Sequence, residues 1–106
     1  MNGDSYLVLT AATMQQQDKN IKHRSRTELI ASILGAAASV PEGELSTRIM
    51  YRVNTSQKDL KKYLGNLLSS ELLEYDSQTR RYKVTSKGNK FLEVYSRLRQ
   101  ELRGLE

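Results

Sequence analysis

Apolar positions along the chain fall into phased blocks separated by polar breaks. The first block is Leu29, Ile30, Ile33, Leu34 and Ala37. Its i, i+1, i+4, i+5, i+8 spacing places these side chains on one face of a helix. Ser25 and Glu28 stand three apart at the head of the block, the spacing of a capping box, in which the two side chains satisfy orphan amides of a helix start. The helix is expected to end near Ser39, because Pro41 disfavours helical geometry at Val40, and Gly43 falls in the linker that follows. A second helix is expected over residues 44–52, with Leu45 and Ile49 inward, Met50 and Val53 beside them, and Tyr51 covering the edge. Asn54 and Thr55 then break the pattern. Ser56 and Asp59 supply a second cap signal ahead of a third stripe, Leu60, Leu64, Leu67 and Leu68. On a 3.6-residue wheel Lys58, Lys62, Gly65 and Ser69 lie opposite that stripe, flanked by Gln57 and Lys61.

The period then shortens to two. Leu72, Leu73 and Tyr75 lead into Asp76-Ser77-Gln78-Thr79, a turn-forming cluster, after which Tyr82 and Val84 alternate with Arg81, Lys83 and Thr85. Two short strands with a polar tip are expected, a hairpin too small to stand without the helices. In the last block Phe91, Tyr95, Leu98, Leu102 and Leu105 step by four, three, four and three, the a/d spacing of a coiled-coil seam, set among Arg97, Arg99, Gln100, Glu101 and Arg103. Burying each large apolar side chain is worth about 1.5–3 kcal/mol, so a seam left in water is costly. A second copy of the same helix removes that cost, and a homodimer is expected. The alternative is that the seam packs on the chain's own first helix or amino-terminal segment.

Residues 1–24 do not continue these patterns. Tyr6-Leu7-Val8-Leu9 suits a short strand or a docking tail, and the polar run from Gln15 to Asn20 suits loop or disorder. Met14, just before that run, is a candidate alternative start. The organisation read from sequence is therefore an amino-terminal segment (1–24), a compact helical domain with a small β-hairpin (25–85) and a carboxy-terminal helix (86–106).

The 106 residues suffice for one small core. Seventeen Lys and Arg against twelve Asp and Glu leave a net charge of +5, which favours an anionic partner, nucleic acid or an acidic membrane surface. With no cysteine and a single histidine, His23, disulfides, thiolate metal sites and a histidine metal cluster are excluded within one chain. No apolar run approaches the roughly 18 residues that span a bilayer, and the first residues lack the basic start of a signal peptide. A cytoplasmic protein is expected.

Residues 48–62 carry the chemistry. An apolar helix end, a polar turn and a basic helix in succession outline a helix-turn-helix, and the basic hairpin that follows makes a wing. Lys58, Lys61 and Lys62 suit phosphate neutralisation, which gives affinity without sequence information. Base reading would fall to Asn54, Thr55, Ser56, Gln57 and Lys58, with Gln57 suited to adenine and Lys58 to guanine. Arg52, and Arg80 and Arg81 at the wing tip, complete the candidate DNA-binding set. A plain solvated face is the competing reading for helical lysines. Lys19, Lys22, His23, Arg24 and Arg26 form a third basic cluster, either an arm along the backbone or a basic tail. Tyr63, Tyr82 and Tyr95 are expected at the core or its rim, and Tyr51 at the DNA edge. The scattered glycines form no phosphate loop, and no nucleophile, base and orienting group recur in a known pattern, so no enzyme activity, cofactor or small-molecule ligand is expected.

Four phrases, RSRTELIASIL (24–34), STRIMYRVNTSQKDLKKYL (46–64), LLEYD (72–76) and RYKVTSKGNKFLEVY (81–95), appear in an order that resembles the small archaeal winged-helix DNA-binding proteins of the Sso ten-a type, within the archaeal winged-helix transcriptional regulators. The last phrase, a strand running into T-x-K-G at the head of a helix, is frequent in winged helices. The resemblance covers over three quarters of the chain. It implies a mainly α winged helix-turn-helix with a carboxy-terminal dimerisation helix, binding double-stranded DNA as a dimer through an antiparallel coiled coil. It places the recognition helix at 56–70, the wing at 73–85 and the dimer helix from Ser86, with Phe91, Tyr95, Leu98, Leu102 and Leu105 at the interface. A transcriptional regulator or chromatin protein is implied. The rival function is a winged helix used for protein–protein interaction without DNA.

Overall fold

The computed structural model describes residues 25–105, and the expectations for residues 1–24 lie outside them. Four helices enclose one face of a small sheet: α1 (Arg26–Ala38), β1 (Glu44–Leu45), α2 (Ser46–Val53), α3 (Gln57–Ser69), β2 (Leu73–Asp76), β3 (Arg81–Val84) and α4 (Ser86–Gly104). The three strands run β1-β3-β2, antiparallel throughout.

Capping chemistry sets the helix starts. Ser25 Oγ accepts from the Glu28 amide and Glu28 Oε1 accepts from the Ser25 amide, both at 3.0 Å, so the capping box is complete. At α3 only half of that device forms, with Ser56 Oγ accepting from the Asp59 amide at 3.1 Å. Thr85 caps α4 by accepting from the Gly88 amide at 3.0 Å. Among these helices α1 is the central one. It packs against α2, α4, β1 and β3, and its Ile33, Leu34 and Ala37 are fully buried in a core shared with Ile49, Val53, Leu60, Leu64, Leu67, Leu73 and the slightly exposed Val84.

One expectation is corrected at residues 44 and 45. They form β1 rather than the first turn of α2, pairing with Tyr82 and Arg81. Gly43 turns the chain into this strand at φ 97°, and a Cβ there would sit 2.9 Å from the Tyr82 carbonyl oxygen, so no other residue fits without strain. The hairpin expected from sequence is thus a three-stranded sheet. Two residues are too few to show a strand period, and Glu44 reads as polar although it is only 4 % exposed.

α3 ends in a tight reversal. The Leu72 amide bonds back to the Leu67 carbonyl at 2.9 Å and the Glu71 amide to Leu68 at 3.1 Å, with Glu71 left-handed at φ 63°. Glycine is the residue of choice at this position because it lacks the Cβ that opposes that conformation. Glu71 is exposed, and the group it offers its neighbours is its backbone carbonyl, which accepts from Thr85 Oγ1. Glu71→Gly is therefore expected to raise stability by about 0.5–1 kcal/mol, read as a higher denaturant midpoint at unchanged slope.

α4 is 19 residues long, about 28 Å. Its first half belongs to the core, where Phe91 and Leu92 pack partly buried. Beyond it the helix exposes Val94, Leu98 and Leu102 by about half each, and Leu105 by 83 %.

Candidate nucleic-acid interface

α2 and α3 are joined by a three-residue turn in which Asn54 is left-handed at φ 60°, a conformation asparagine tolerates better than most residues. The turn brings the last residues of α2 close to the first of α3. Leu60, Leu64 and Leu67 anchor α3 from within, so Lys58 and Lys62 stand at the middle of its outer face, Lys61 and Gln57 at its flank. All four are exposed. Between Leu45 and Ser70 stand Arg48, Arg52, Lys58, Lys61 and Lys62, and a single carboxylate, Asp59. Among the described residues, none of the three lysines makes an ion pair. Gly65 and Ser69 continue the outer face, and a Cβ on Gly65 would meet nothing within 4 Å. The surface beyond the lysines is therefore low.

The other candidates divide. Asn54, Ser56 and Gln57 are exposed and Thr55 half-buried at the start of α3. Arg52 is exposed, with Nη1 donating to Ser39 Oγ at 2.8 Å. Ser39 Oγ is itself anchored by donating to the Ala36 carbonyl at 2.7 Å. At the wing, Arg80 is left-handed at φ 61° in the tip turn, which Asp76 Oδ1 organises by accepting from the Gln78 and Thr79 amides. Arg81 is not at the tip. It is the first residue of β3, and Nη1 donates to the Gly43 carbonyl at 2.9 Å and lies 3.9 Å from the buried Glu44 carboxylate. Arg81 therefore neutralises a charge that would be costly to bury alone. Behind it Tyr75 and Tyr82 pack with ring centroids 4.8 Å apart. Burial, and secondarily the neighbouring Tyr75, push the Tyr82 phenol above its ordinary value.

Sequence reasoning passed over two exposed features. Arg48 shares a face of α2 with Tyr51 and Arg52, and the i, i+3, i+4 spacing was there to be read. On α4 the exposed stripe is Val94, Leu98, Leu102 and Leu105, whereas the heptad steps selected Tyr95. Tyr95 instead stacks on Phe91, centroids 6.4 Å apart, and carries the Arg99 guanidinium 6.0 Å over its ring. It lines a groove between α1 and α4 with Glu28, Ser32, Ser96, Arg99 and Arg103.

Among the described residues no helix is long and apolar enough to cross a membrane, and no cluster of three or more His, Cys, Asp or Glu side chains suits a metal ion. Residues 23–103 match the model of the winged helix-turn-helix family. Comparison with curated proteins finds no match to the chain.

Proposed function

Because the chain belongs to the winged helix-turn-helix family, we propose that it binds double-stranded DNA, with α3 in the major groove and two copies joined through α4. Arg52, Asn54, Thr55, Ser56, Gln57, Lys58, Lys61, Lys62 and Arg80 are its contacts, and Arg81 supports the wing from beneath. The observation that carries this reading is the sidedness of α3. Its leucines are turned inward, and Lys58 and Lys62, flanked by Lys61, are exposed away from them without an ion pair among the described residues, on a helix that a turn projects from the domain. A duplex is the polyanion whose groove admits such a helix. The role is that of a transcriptional regulator or chromatin protein of the archaeal type, acting in the cytoplasm at the nucleoid. An electrophoretic shift on mixed-sequence duplex at low salt tests it, and a chain that shifts no duplex is not a DNA-binding protein.

Joining through α4 rests on the stripe Val94, Leu98, Leu102 and Leu105, with Phe91 at its inner end. Light scattering at micromolar concentration is expected to give twice the chain mass, and Leu98→Glu with Leu102→Glu to give a monomer with unchanged helicity. A monomer mass for the parent chain would reject self-pairing. The same stripe also favours a second reading, an interaction module whose α4 pairs with another protein's helix. A monomeric parent that shifts no duplex would select that reading.

A further inference from the structure

We infer that the groove between α1 and α4 binds a free α-amino acid with an apolar side chain, its carboxylate held by Arg99 and Arg103 and its ammonium group by Glu28. The inference stands on the groove's own geometry and does not depend on the DNA-binding reading.

The groove encloses about 640 Å³, a size suited to a small molecule. Its floor is apolar. Ala31 is buried there and Leu92 packs on the core. α1 supplies Glu28 and Ser32, one turn apart, and α4 supplies Tyr95, Arg99 and Arg103 on successive turns. No local pattern announces the site, because its two walls lie far apart in the chain.

Charges of both signs line this groove without meeting. Elsewhere Arg97 pairs with Glu93, and Arg81 lies against Glu44. Among the described residues, neither Arg99 nor Arg103 pairs with Glu28 or with any other carboxylate. A molecule carrying both charges would bridge the space between them. The protein's groups are already partly positioned. The Arg99 guanidinium stands 6.0 Å over the Tyr95 ring, and Glu28 Oε1 accepts from the Ser25 amide in the capping box. Less side-chain freedom is therefore lost on binding. Guanidinium groups match a carboxylate in shape and charge, and a carboxylate accepts strongly from an ammonium group. A simple organic acid would leave Glu28 facing a second negative charge, and a simple amine would face two guanidinium groups. The Ser32 hydroxyl bonds to no described residue and is a further donor. Ala31, Leu92 and the Tyr95 ring offer the apolar contact a side chain needs.

Pairing through α4 leaves this site in place. Leu92, Arg99 and Arg103 point about a third of the helix circumference away from the stripe of Val94, Leu98, Leu102 and Leu105. Two joined copies would each keep a groove.

The test is thermal unfolding of the full chain with each common L-amino acid, up to about 10 mM. At least one apolar amino acid is expected to raise the melting temperature, by about 6–11 °C at about ten times its dissociation constant. Titration calorimetry then compares it with the acid lacking the amine, leucine with isocaproate or phenylalanine with hydrocinnamate. The amino acid is expected to bind at least about tenfold more tightly. Arg99→Ala with Arg103→Ala should abolish the rise. Glu28→Gln, which can keep the capping box, should cut the preference for the amine below about threefold. The inference is overturned if no amino acid raises the melting temperature, if the arginine variant keeps the rise, or if the parent binds the matched acid equally well. All three substituted side chains are exposed, and circular dichroism verifies that each variant is folded.

Discussion

Alanine at Lys58, Lys61 and Lys62 together is expected to lower duplex affinity about a hundredfold at about 0.15 M salt, and to do so alike on every sequence. The magnitude follows from counterion release. Each phosphate contact contributes about 0.9 to the slope of log affinity against log salt, so the variant should lose about three units of slope. Its deficit should therefore shrink as salt rises. The fold should be unaffected, because the three side chains are exposed and among the described residues pair with no carboxylate. Removing three like charges from successive turns of one helix relieves rather than adds strain. Gln57 stands apart from this argument. Gln57→Ala is isoelectric and should leave the slope alone, so a loss on adenine-containing sites only would mark base readout. A triple variant with the parent's slope would mean that α3 does not face phosphate.

Gly88→Ala is expected to destabilise the fold by about 2–3 kcal/mol, the upper part of the range for overpacking, and so to lower the melting temperature by about 8–20 °C for a domain of this size. Helix propensity alone predicts the opposite sign, a gain of up to about 1 kcal/mol for glycine to alanine inside a helix. Geometry decides. A Cβ at Gly88 would collide with the Leu72 carbonyl oxygen and stand 2.8 Å from Val84 Cγ1. The Leu72 oxygen is backbone and already accepts from the Thr85 amide, so it has no rotamer by which to move aside. Around it, Thr85 Oγ1 donates to the Glu71 carbonyl and accepts from Gly88, and Lys87 Nζ donates to the Ser70 carbonyl. The close approach of α4 to the end of α3 is thus supported on every side by hydrogen bonds that a displaced helix would break. Thermal unfolding followed by circular dichroism checks the prediction, and a stabilised variant would show that the approach is looser than this. The same contact explains why glycine stands fourth in the T-x-K-G phrase.

The helices were legible because their signals are local. Ser25 with Glu28 and Ser56 with Asp59 mark starts, Pro41 closes the space after α1, and the leucines of α3 repeat at a stride only a helix aligns. The wing was legible from the alternation of Tyr82 and Val84 with their charged neighbours. What escaped depends on contacts distant in sequence. β1 exists because β3 has a free edge, and no pattern within residues 44 and 45 reveals that. Arg81 turns inward because β1 brings a buried carboxylate to it, 37 residues away in the chain. On α4 the heptad steps describe a helix wound around a partner, whereas the first turns of this helix are fixed on its own core. Its exposed stripe therefore follows the straight-helix stride from Val94 and leaves Tyr95 beside α1. The candidate interface was read more completely on α3, whose apolar stripe is unambiguous, than on α2, whose brevity blurs its two faces.

The Thr85–Gly88 junction has a consequence for an assembly of two copies. Since α4 leaves the domain from a joint in which backbone packs on backbone at Gly88 and the Thr85 and Lys87 side chains bond to the carbonyls after α3, its angle to α3 is not free to adjust. Two chains meeting along α4 would hold their reading heads at a set separation and rotational phase. Operator half-sites would then have to match that span in whole turns of the double helix, and the ruler would be the ungapped stretch of chain between Gly88 and Leu98.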